Sequence, residues 1–209
     1  MKYYPAFIDL KDKKTVVVGG GQVAERKVRL LVNAGASVVL VSPDITDQIR
    51  KLAEKGLLSH IKRNYRKGDL DGAFIVIAAT SSSVLNMRIG RDAGYLVNVV
   101  DMPSEGNYIV PSIVKRGPLT IAISTEGASP AVSKAIRKEI ERHYSKEFAL
   151  YLRFVETIRK KAFKKIKHPL KREKFLRSLA SHEFMKSLRE EGFRTAQHNV
   201  LSYFKRIDE

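Results

Sequence analysis

The 209-residue chain is predicted to have an α/β fold, a doubly wound parallel sheet followed by a small α+β segment and a C-terminal helical domain. Three observations predict this order. Apolar strand patterns alternate with amphipathic helix patterns over about the first hundred residues. A glycine-rich turn joins the first strand to the first helix. Strand patterns end before residue 146, and the remaining chain has helical periodicity.

The first elements form a strand–turn–helix–strand unit. Lys14–Val18 is a β-branched run, and Gly19-Gly20-Gly21 follows it directly. Gln22–Val32 has its apolar residues on one helical stripe, and Gly35 stands where a helix is expected to end. Ser37–Val41 is a second buried strand. Such a unit is nearly always a right-handed crossover between parallel strands.

The later elements continue the alternation. Strands are predicted at His60–Lys62, Phe74–Ala79, Tyr95–Val100 and Leu119–Ser124. Helices are predicted at Ile45–Ala53, Val84–Ala93 and Ala131–Tyr144. Ser129 is predicted to cap the last of these helices, with Pro130 at its first position. Pro169 is predicted to divide the helical tail into at least two helices. We expect domains at 1–113, 114–145 and 146–209.

Composition restricts the class of protein. The chain has no cysteine, which excludes disulfides and thiolate sites, and its five histidines have no metal-ligand spacing, so no resident metal is predicted. It has no apolar run of about 18 residues and no signal-like pattern at Met1–Pro5, so we expect no membrane partner and a cytoplasmic location. The net charge is +17, of which residues 114–209 carry +12. That excess predicts either a solvated helical surface or a polyanionic partner.

The turn after the first strand predicts nucleotide binding. Gly19-x-Gly21-x-x-Ala24 fits the dinucleotide pattern, in which the first glycine permits a tight turn and the second admits a pyrophosphate. The positive end of the following helix favours the anion. We therefore predict that Gly19, Gly20 and Gly21 contact the cofactor in a Rossmann-type sheet. The alternative is a tight turn that binds no ligand.

Residues after the second and fourth strands lie at the same edge of the predicted sheet. Asp44 either accepts the ribose hydroxyls or is the N-terminal acid of the next helix. No Arg or Lys occurs between Val41 and Gln48, so no local cation would meet a 2′-phosphate, and NAD is predicted over NADP. Thr80 is predicted to contact the cofactor. The alternative is a serine-rich loop that only caps the next helix, a role open to Ser82 or Ser83.

Asp101 follows the fifth strand at the same edge. Beside a nicotinamide, its carboxylate could take a proton while a hydride leaves the substrate. It could also ligate a hard metal, or simply occupy a turn, where aspartate is common.

These motifs together resemble the precorrin-2 dehydrogenase family, the N-terminal region of siroheme synthase. The resemblance covers residues 2–145 and is carried, in order, by these segments: Pro5–Leu10, Val18–Lys27, Ala78–Thr80, Asn98–Asp101, Ile109–Ser112 and Ser124–Pro130. It implies oxidation of precorrin-2 to sirohydrochlorin with NAD, and in some members insertion of ferrous iron. Thr125 departs from the serine found in some relatives.

The resemblance also implies roles for residues. Cofactor contacts fall on Gln22, Val23, Pro43 and Asp44, and Asp101 is central to both reactions. We predict further that the substrate meets Asn98, Ser124 and Thr125. The family forms homodimers through the segment after the nucleotide domain, which here is 114–145. The substrate is a polyanionic tetrapyrrole, which the basic second half would attract.

The motifs and the resemblance lead to three hypotheses about function. The first is an NAD-dependent precorrin-2 dehydrogenase, and the second adds sirohydrochlorin ferrochelatase activity with ferrous iron as substrate. The third is a non-enzymatic NAD-sensing module whose basic tail binds nucleic acid. The tail's aromatic residues recur largely at helical spacing, which favours core packing over base stacking, so nucleic acid is not the partner we predict. They are Phe148, Tyr151, Phe154, Phe163 and Phe175.

Overall fold

The computed structural model describes residues 2–208, and Met1 and Glu209 lie outside the described residues. Met1 belongs to the segment for which we predict no signal pattern. The chain divides into two compact units, with the boundary between Val110 and Pro111. None of the helices within residues 2–208 combines the length and apolar character needed to cross a membrane.

The first unit is a five-stranded parallel sheet with the order β3-β2-β1-β4-β5. The strands are β1 (Lys14–Val18), β2 (Ser37–Val41), β3 (Ser59–Ile61), β4 (Ile75–Ala78) and β5 (Leu96–Val99). The helices are α1 (Gln22–Asn33), α2 (Asp47–Glu54) and α3 (Ser83–Asp92), with short 3₁₀ turns at Lys67–Leu70 and Pro103–Glu105. The predicted α/β class is confirmed, and β1 and β2 have the predicted bounds.

Both faces of this sheet are covered, as in other parallel sheets. Val17 and its neighbours on one face pack under α1 and α2, while Val16 and Val18 on the other face pack under α3. The valines of β1 are at most 2% exposed. This double burial explains why β1 and β4 are apolar without alternation.

The second unit begins with an antiparallel hairpin of β6 (Ser112–Arg116) and β7 (Leu119–Ile123), followed by α4 (Pro130–His143). Strand β6 is absent from the sequence-based prediction. The predicted start of α4 is confirmed, because the Ser129 side chain accepts a hydrogen bond from the Val132 N–H (3.3 Å) and Pro130 is the first helical residue.

Four helices complete the second unit: α5 (Lys146–Lys165), α6 (Pro169–Ser178), α7 (His182–Glu190) and α8 (Phe193–Asp208). The predicted division at Pro169 is confirmed. Phe148, Tyr151 and Phe175 are buried in one helical core and Phe154 packs against it, as predicted, whereas Phe163 is 53% exposed. The Tyr151 hydroxyl donates to the Leu179 carbonyl (2.7 Å), and burial raises the pKa of that hydroxyl to about 12.

Candidate functional site

The candidate site lies where the parallel strands of the first unit end. Val18 pairs with Val41 on one side and with Ala78 on the other, and Ala78 pairs in turn with Val99. Two residues beyond these paired positions stand Gly20, Pro43, Thr80 and Asp101. The predicted site residues of this unit therefore follow neighbouring strands at one edge of the sheet. The order of the strands reverses between β1 and β4, which is where open α/β sheets bind ligands.

The turn after β1 is held tightly by its neighbours. Gly19 has φ +118°, and a Cβ at this position would lie 2.2 Å from the Ala79 carbonyl oxygen. A Cβ on Gly20 would lie 1.9 Å from the Asp44 carbonyl oxygen. The loops after β2 and β4 thus approach the turn so closely that only glycine fits at either position.

Gly21 differs from the two glycines before it. Its φ is an ordinary −80°, and a Cβ built on it would meet no atom within 4 Å. It is the N-cap of α1, and no side chain caps this helix end. Neither backbone geometry nor packing within the chain requires glycine here, so the residue leaves room for a group outside the chain. That open space at a helix N-terminus fits a pyrophosphate.

Gln22 and Val23 begin α1, where backbone N–H groups have no intrahelical acceptor. Gln22 is exposed, while Val23 is half-buried against the sheet. These two residues can therefore offer backbone donors to an anion, which matches their predicted role. The Glu25 carboxylate, one turn further, accepts from the Thr46 hydroxyl (2.7 Å) and ties α1 to the start of α2.

The loop after β2 presents Pro43 and Asp44 to solvent. The Ser42 hydroxyl donates to the Asp44 carbonyl (2.7 Å), which leaves the Asp44 carboxylate outside the loop's own hydrogen bonding. The N-cap of α2 is Thr46 and its first-turn acid is Asp47, so Asp44 is not the N-terminal acid of that helix. The predicted contact of Asp44 with the ribose hydroxyls stays a prediction.

Thr80 is positioned by a buried residue that the sequence did not single out. Asn86, on α3, is 4% exposed. Its Oδ1 accepts from the Thr80 backbone N–H (3.0 Å) and hydroxyl (2.7 Å), while its Nδ2 donates to the Thr80 carbonyl (3.0 Å). Ser82 is the N-cap of α3. Ser82 therefore caps a helix, which is the alternative considered for this loop, whereas the contact of Thr80 with the cofactor stays a prediction.

Asp101 occupies a turn that begins in β5. It has φ +63°, and the Met102 N–H donates to the Val99 carbonyl (3.3 Å) across it. The left-handed conformation is unusual for a residue with a side chain, although aspartate tolerates it better than most. The side chain is exposed, and within the described residues it has no hydrogen-bond or ion-pair partner. Such a carboxylate is free to exchange a proton with a ligand.

Asn98 lies below Asp101 within β5 and is 9% exposed. Its Nδ2 donates to the Tyr108 carbonyl (3.0 Å), and its Oδ1 is buried without a partner in the described part of the chain. Burial raises the pKa of the Tyr108 hydroxyl. Asn98 thus contacts the segment beside β5, and its predicted contact with substrate stays a prediction.

Ser124 and Thr125 belong to the second unit, in the turn between β7 and α4. The Ser124 hydroxyl accepts from the Glu126 N–H (3.0 Å), and Glu126 has φ +53°. The Thr125 hydroxyl accepts from the Ser129 N–H (3.3 Å). Both hydroxyls therefore support the turn that starts α4. Any contact with substrate would come in addition to this role and stays a prediction.

Comparison with known proteins agrees with the site. Residues 6–112 match a family described as "Putative NAD(P)-binding", and residues 116–143 match "Sirohaem biosynthesis protein central". A siroheme synthase from Chromobacterium violaceum is 37% identical over 162 residues, which are 76% of this chain and 34% of that protein. One from Methylobacillus flagellatus is 42% identical over 144 residues, 68% of this chain and 31% of that protein. The chain therefore spans about a third of the length of these curated relatives.

A solved structure extends the likeness to nearly the whole chain. The structure of SirC, precorrin-2 dehydrogenase, superposes with a TM-score of 0.80 at 27% identity, covering 96% of this chain and all of that one. The match therefore includes the helical second unit as well as the sheet. With an NAD(P)-binding family model over half its length and the predicted motifs in place, the chain belongs to the precorrin-2 dehydrogenase family, the family of the siroheme synthase N-terminal region.

Proposed function

We propose that this protein oxidises precorrin-2 to sirohydrochlorin with NAD. The observation that carries the proposal is the open space at Gly21, together with an Asp101 carboxylate on the same sheet edge that has no partner among the described residues. The likeness to SirC, precorrin-2 dehydrogenase, over almost the full length of both chains supports it. A sheet edge with these two features suits a dehydrogenase that must hold a dinucleotide beside a proton acceptor.

The residues that would hold the dinucleotide are those around the turn. The N–H groups that begin α1, at Gln22 and Val23, face the space left by Gly21 and would bind the pyrophosphate. Asp44 would accept the ribose hydroxyls, and Thr80 would contact the nicotinamide half. When bound, NAD supplies a hydride acceptor.

Asp101 would take the proton that leaves with the hydride. Oxidation removes one hydride and one proton from the macrocycle, and the exposed carboxylate can receive that proton and pass it to water. The left-handed turn holds Asp101 beyond the end of β5, where no described cation pairs with it. Most of the catalysis would come from orienting two planar partners at this edge.

NAD is proposed over NADP because the loop after β2 has no cation for a 2′-phosphate. Residues 42–48 contain no Arg or Lys, and the exposed Asp44 carboxylate would repel a phosphate. A comparison of kcat/KM with the two cofactors tests this. A higher value with NADP would contradict the assignment.

Insertion of ferrous iron into sirohydrochlorin is a second candidate activity. It rests on Asp101, because an exposed carboxylate without a partner could also take the pyrrole protons that leave as the metal enters. Purified protein with sirohydrochlorin and ferrous iron should then form siroheme faster than the two react unaided. A rate equal to the spontaneous one would restrict the protein to the dehydrogenase reaction.

A homodimer joined through the second unit's hairpin and α4 is also proposed. No residue of α4 is buried, Val132 is 48% exposed and Ile136 is 37% exposed. A two-stranded hairpin is marginal alone and leaves both edges open to another chain. Light scattering should give twice the chain mass, and Ile136→Glu should shift the protein towards monomer. A wild-type monomer at micromolar concentration would overturn the proposal.

The decisive test is an anaerobic reaction of precorrin-2 with NAD. The macrocycle spectrum and NADH are followed together, first with wild-type protein and then with Asp101→Asn. One NADH for each sirohydrochlorin formed supports the dehydrogenase. Demonstrated NAD binding without NADH formation would refute it and favour a nucleotide-sensing module.

A further inference from the structure

A cavity of about 580 Å³ opens between α5 and α8 in the second unit. Its size is typical of small-molecule sites. Its described lining belongs to these two helices, so the cavity lies within the second unit. None of its residues belongs to the motifs that predicted the dehydrogenase.

The rim of this cavity is cationic. Lys161 and Lys164 of α5 and Lys205 of α8 line it, and all three are exposed. Within residues 2–208, none of the three forms a salt bridge. Lys165, which also lines the cavity, already interacts with another group. Among the residues whose side chains are described, no acidic residue lines the cavity. Clustered like charges repel, so an anion bound in the cavity would reduce the electrostatic repulsion among these lysines.

Some cations elsewhere in the second unit form salt bridges. On α5 itself the Lys160 ammonium pairs with Glu156 (2.9 Å), and on α6 Arg177 pairs with Glu173 (2.6 Å). Such i,i+4 pairs are the usual arrangement on a solvated helix surface. Since other exposed lysines of this unit, such as Lys171, likewise have no described ion-pair partner, the cavity lysines stand out by meeting around one opening rather than by lacking partners.

The floor of the cavity is apolar. Ile158 and Phe204 belong to the helical core, and Leu201 is 36% exposed on the floor. His198 and Ser202 add hydrogen-bonding groups on α8. Spacings of three and four residues put His198, Leu201, Ser202 and Lys205 on one face of the helix. An apolar floor below a ring of cations suits a ligand with a broad hydrophobic body and several anionic groups.

We infer that the α5–α8 cavity is a binding site for a carboxylate-bearing tetrapyrrole. The inference rests on the proposed function for its ligand class, because the proposed substrate and product are such molecules. The ring would cover Leu201 and its neighbours on the floor. Its carboxylates would accept hydrogen bonds from Lys161, Lys164 and Lys205.

The test is calorimetric titration with uroporphyrin, an aromatic tetrapyrrole with acetate and propionate groups that the dehydrogenase reaction cannot oxidise further. The variant replaces Lys161, Lys164 and Lys205 with glutamine. Its matched control replaces Lys146, Lys171 and Lys174, which are exposed on the same unit and do not line the cavity. Both variants lose the same charge. Circular dichroism and NAD binding show whether each is folded.

We expect the cavity variant to lose one equivalent of uroporphyrin per chain, or to bind it about tenfold more weakly. The control variant should bind like wild type. Equal stoichiometry and Kd in wild type and the cavity variant would overturn the inference. Equal losses in both variants would also overturn it, because binding would then follow net charge alone.

A second pair of variants tests the floor without changing charge. Leu201→Gln should weaken uroporphyrin binding several-fold, whereas Leu170→Gln, at a 70% exposed position outside the cavity, should not. Wild-type binding by Leu201→Gln would overturn the inference, since the cations would then be an unspecific anion patch. Displacement of uroporphyrin by an equal concentration of short single-stranded DNA would overturn it in favour of nucleic acid.

These results are separable from the proposed function. If precorrin-2 is oxidised but the cavity variant binds uroporphyrin normally, only the inference fails. If precorrin-2 is not oxidised but the cavity variant loses uroporphyrin, the site stands and the dehydrogenase does not.

Discussion

Asn86 holds Thr80 from both sides: its Oδ1 accepts the Thr80 N–H at 3.0 Å, and its Nδ2 donates to the Thr80 carbonyl at 3.0 Å. A buried amide thereby replaces the partners that β4 loses where its ladder ends. Thr80 is thus held at the sheet edge by α3, the helix that follows it. The loop's geometry depends on one side chain.

Asn86→Ala should therefore weaken both stability and cofactor binding. It removes a buried side chain's three hydrogen bonds to Thr80 and leaves backbone groups unpaired, at a loss of about 2–3 kcal/mol in the free energy of unfolding. Urea denaturation and NAD titration measure the two effects. Asn86→Asp is a second probe, because it keeps the acceptor for the Thr80 N–H but turns a carboxylate oxygen towards the Thr80 carbonyl, so it should also be less stable than wild type. An unchanged midpoint in Asn86→Ala would contradict this account.

Alanine should lower the stability of the protein at Gly20 but not at Gly21. The Gly20→Ala methyl group would lie 1.9 Å from the Asp44 carbonyl oxygen, and we expect a loss of about 3 kcal/mol or more in the free energy of unfolding. Gly21→Ala meets no atom within 4 Å, so its thermal midpoint should equal that of wild type. Its Kd for NAD should nevertheless rise about tenfold, because the methyl group enters the space that fits the pyrophosphate.

These two alanine variants control for one another. Calorimetry of unfolding and NAD titration on both proteins distinguish a loss of stability caused by packing from a loss of NAD affinity caused by filling the ligand's space. Normal NAD affinity in Gly21→Ala would show that the space is not used by the cofactor.

Asp101→Asn should lower kcat by about 100-fold while leaving the Kd for NAD unchanged. Asparagine tolerates the left-handed conformation and keeps the shape of the side chain, so the loss would report the missing proton acceptor. Asp101→Ala should lose activity similarly, with about 1 kcal/mol of added backbone strain. Anaerobic NADH formation gives kcat. Full activity in Asp101→Asn would remove any role in proton transfer.

Asp69 should make stability depend on pH. The Arg63 guanidinium donates to both of its carboxylate oxygens (2.8 and 2.6 Å), and this hydrogen-bonded pair lowers the pKa of Asp69 below its ordinary 3.8. A lowered folded-state pKa adds stability above the unfolded pKa, and that stability is lost as the pH falls through the folded value.

Asp69→Asn should accordingly have a lower Tm than wild type at pH 7. The difference should shrink once the pH falls below 3.8, the unfolded value. Thermal denaturation of both proteins across this range measures it. A difference independent of pH would assign the effect to lost packing rather than to the charge.

The sheet could be predicted from the sequence because its signals are local. Val16, Val17 and Val18 are buried on both faces and so form an unbroken apolar run, and the turn glycines mark its end. Strand β6 was missed because only Ile113 and Val114 are apolar between Pro111 and two cations. Its pairing with β7 is a tertiary contact that leaves little trace in composition.

Only part of the candidate site can be predicted from the sequence, for the same reason. Asp101 and the glycine turn carry motifs that can be read along the chain. The contacts of Asn86 with Thr80, and of Glu25 with Thr46 at 21 residues' separation, depend on which elements the fold brings together. A mid-helix asparagine such as Asn86 has no signal that separates it from a solvent-exposed one.

The segment after Asp101 has a further consequence, because β5 is the last strand of its sheet. The N–H and carbonyl of Val97 bond to the segment after Asp101 rather than to another strand. The N–H donates to Asn107 Oδ1 (2.8 Å), and the carbonyl accepts from the Asn107 and Tyr108 N–H groups (each 3.1 Å). Gly106 permits this close approach, since a Cβ there would lie 2.7 Å from the Val97 carbonyl oxygen. Because these edge groups of β5 are already hydrogen-bonded, they are not open to pairing with a strand from another molecule. This short segment therefore protects the protein against fibrillar self-association.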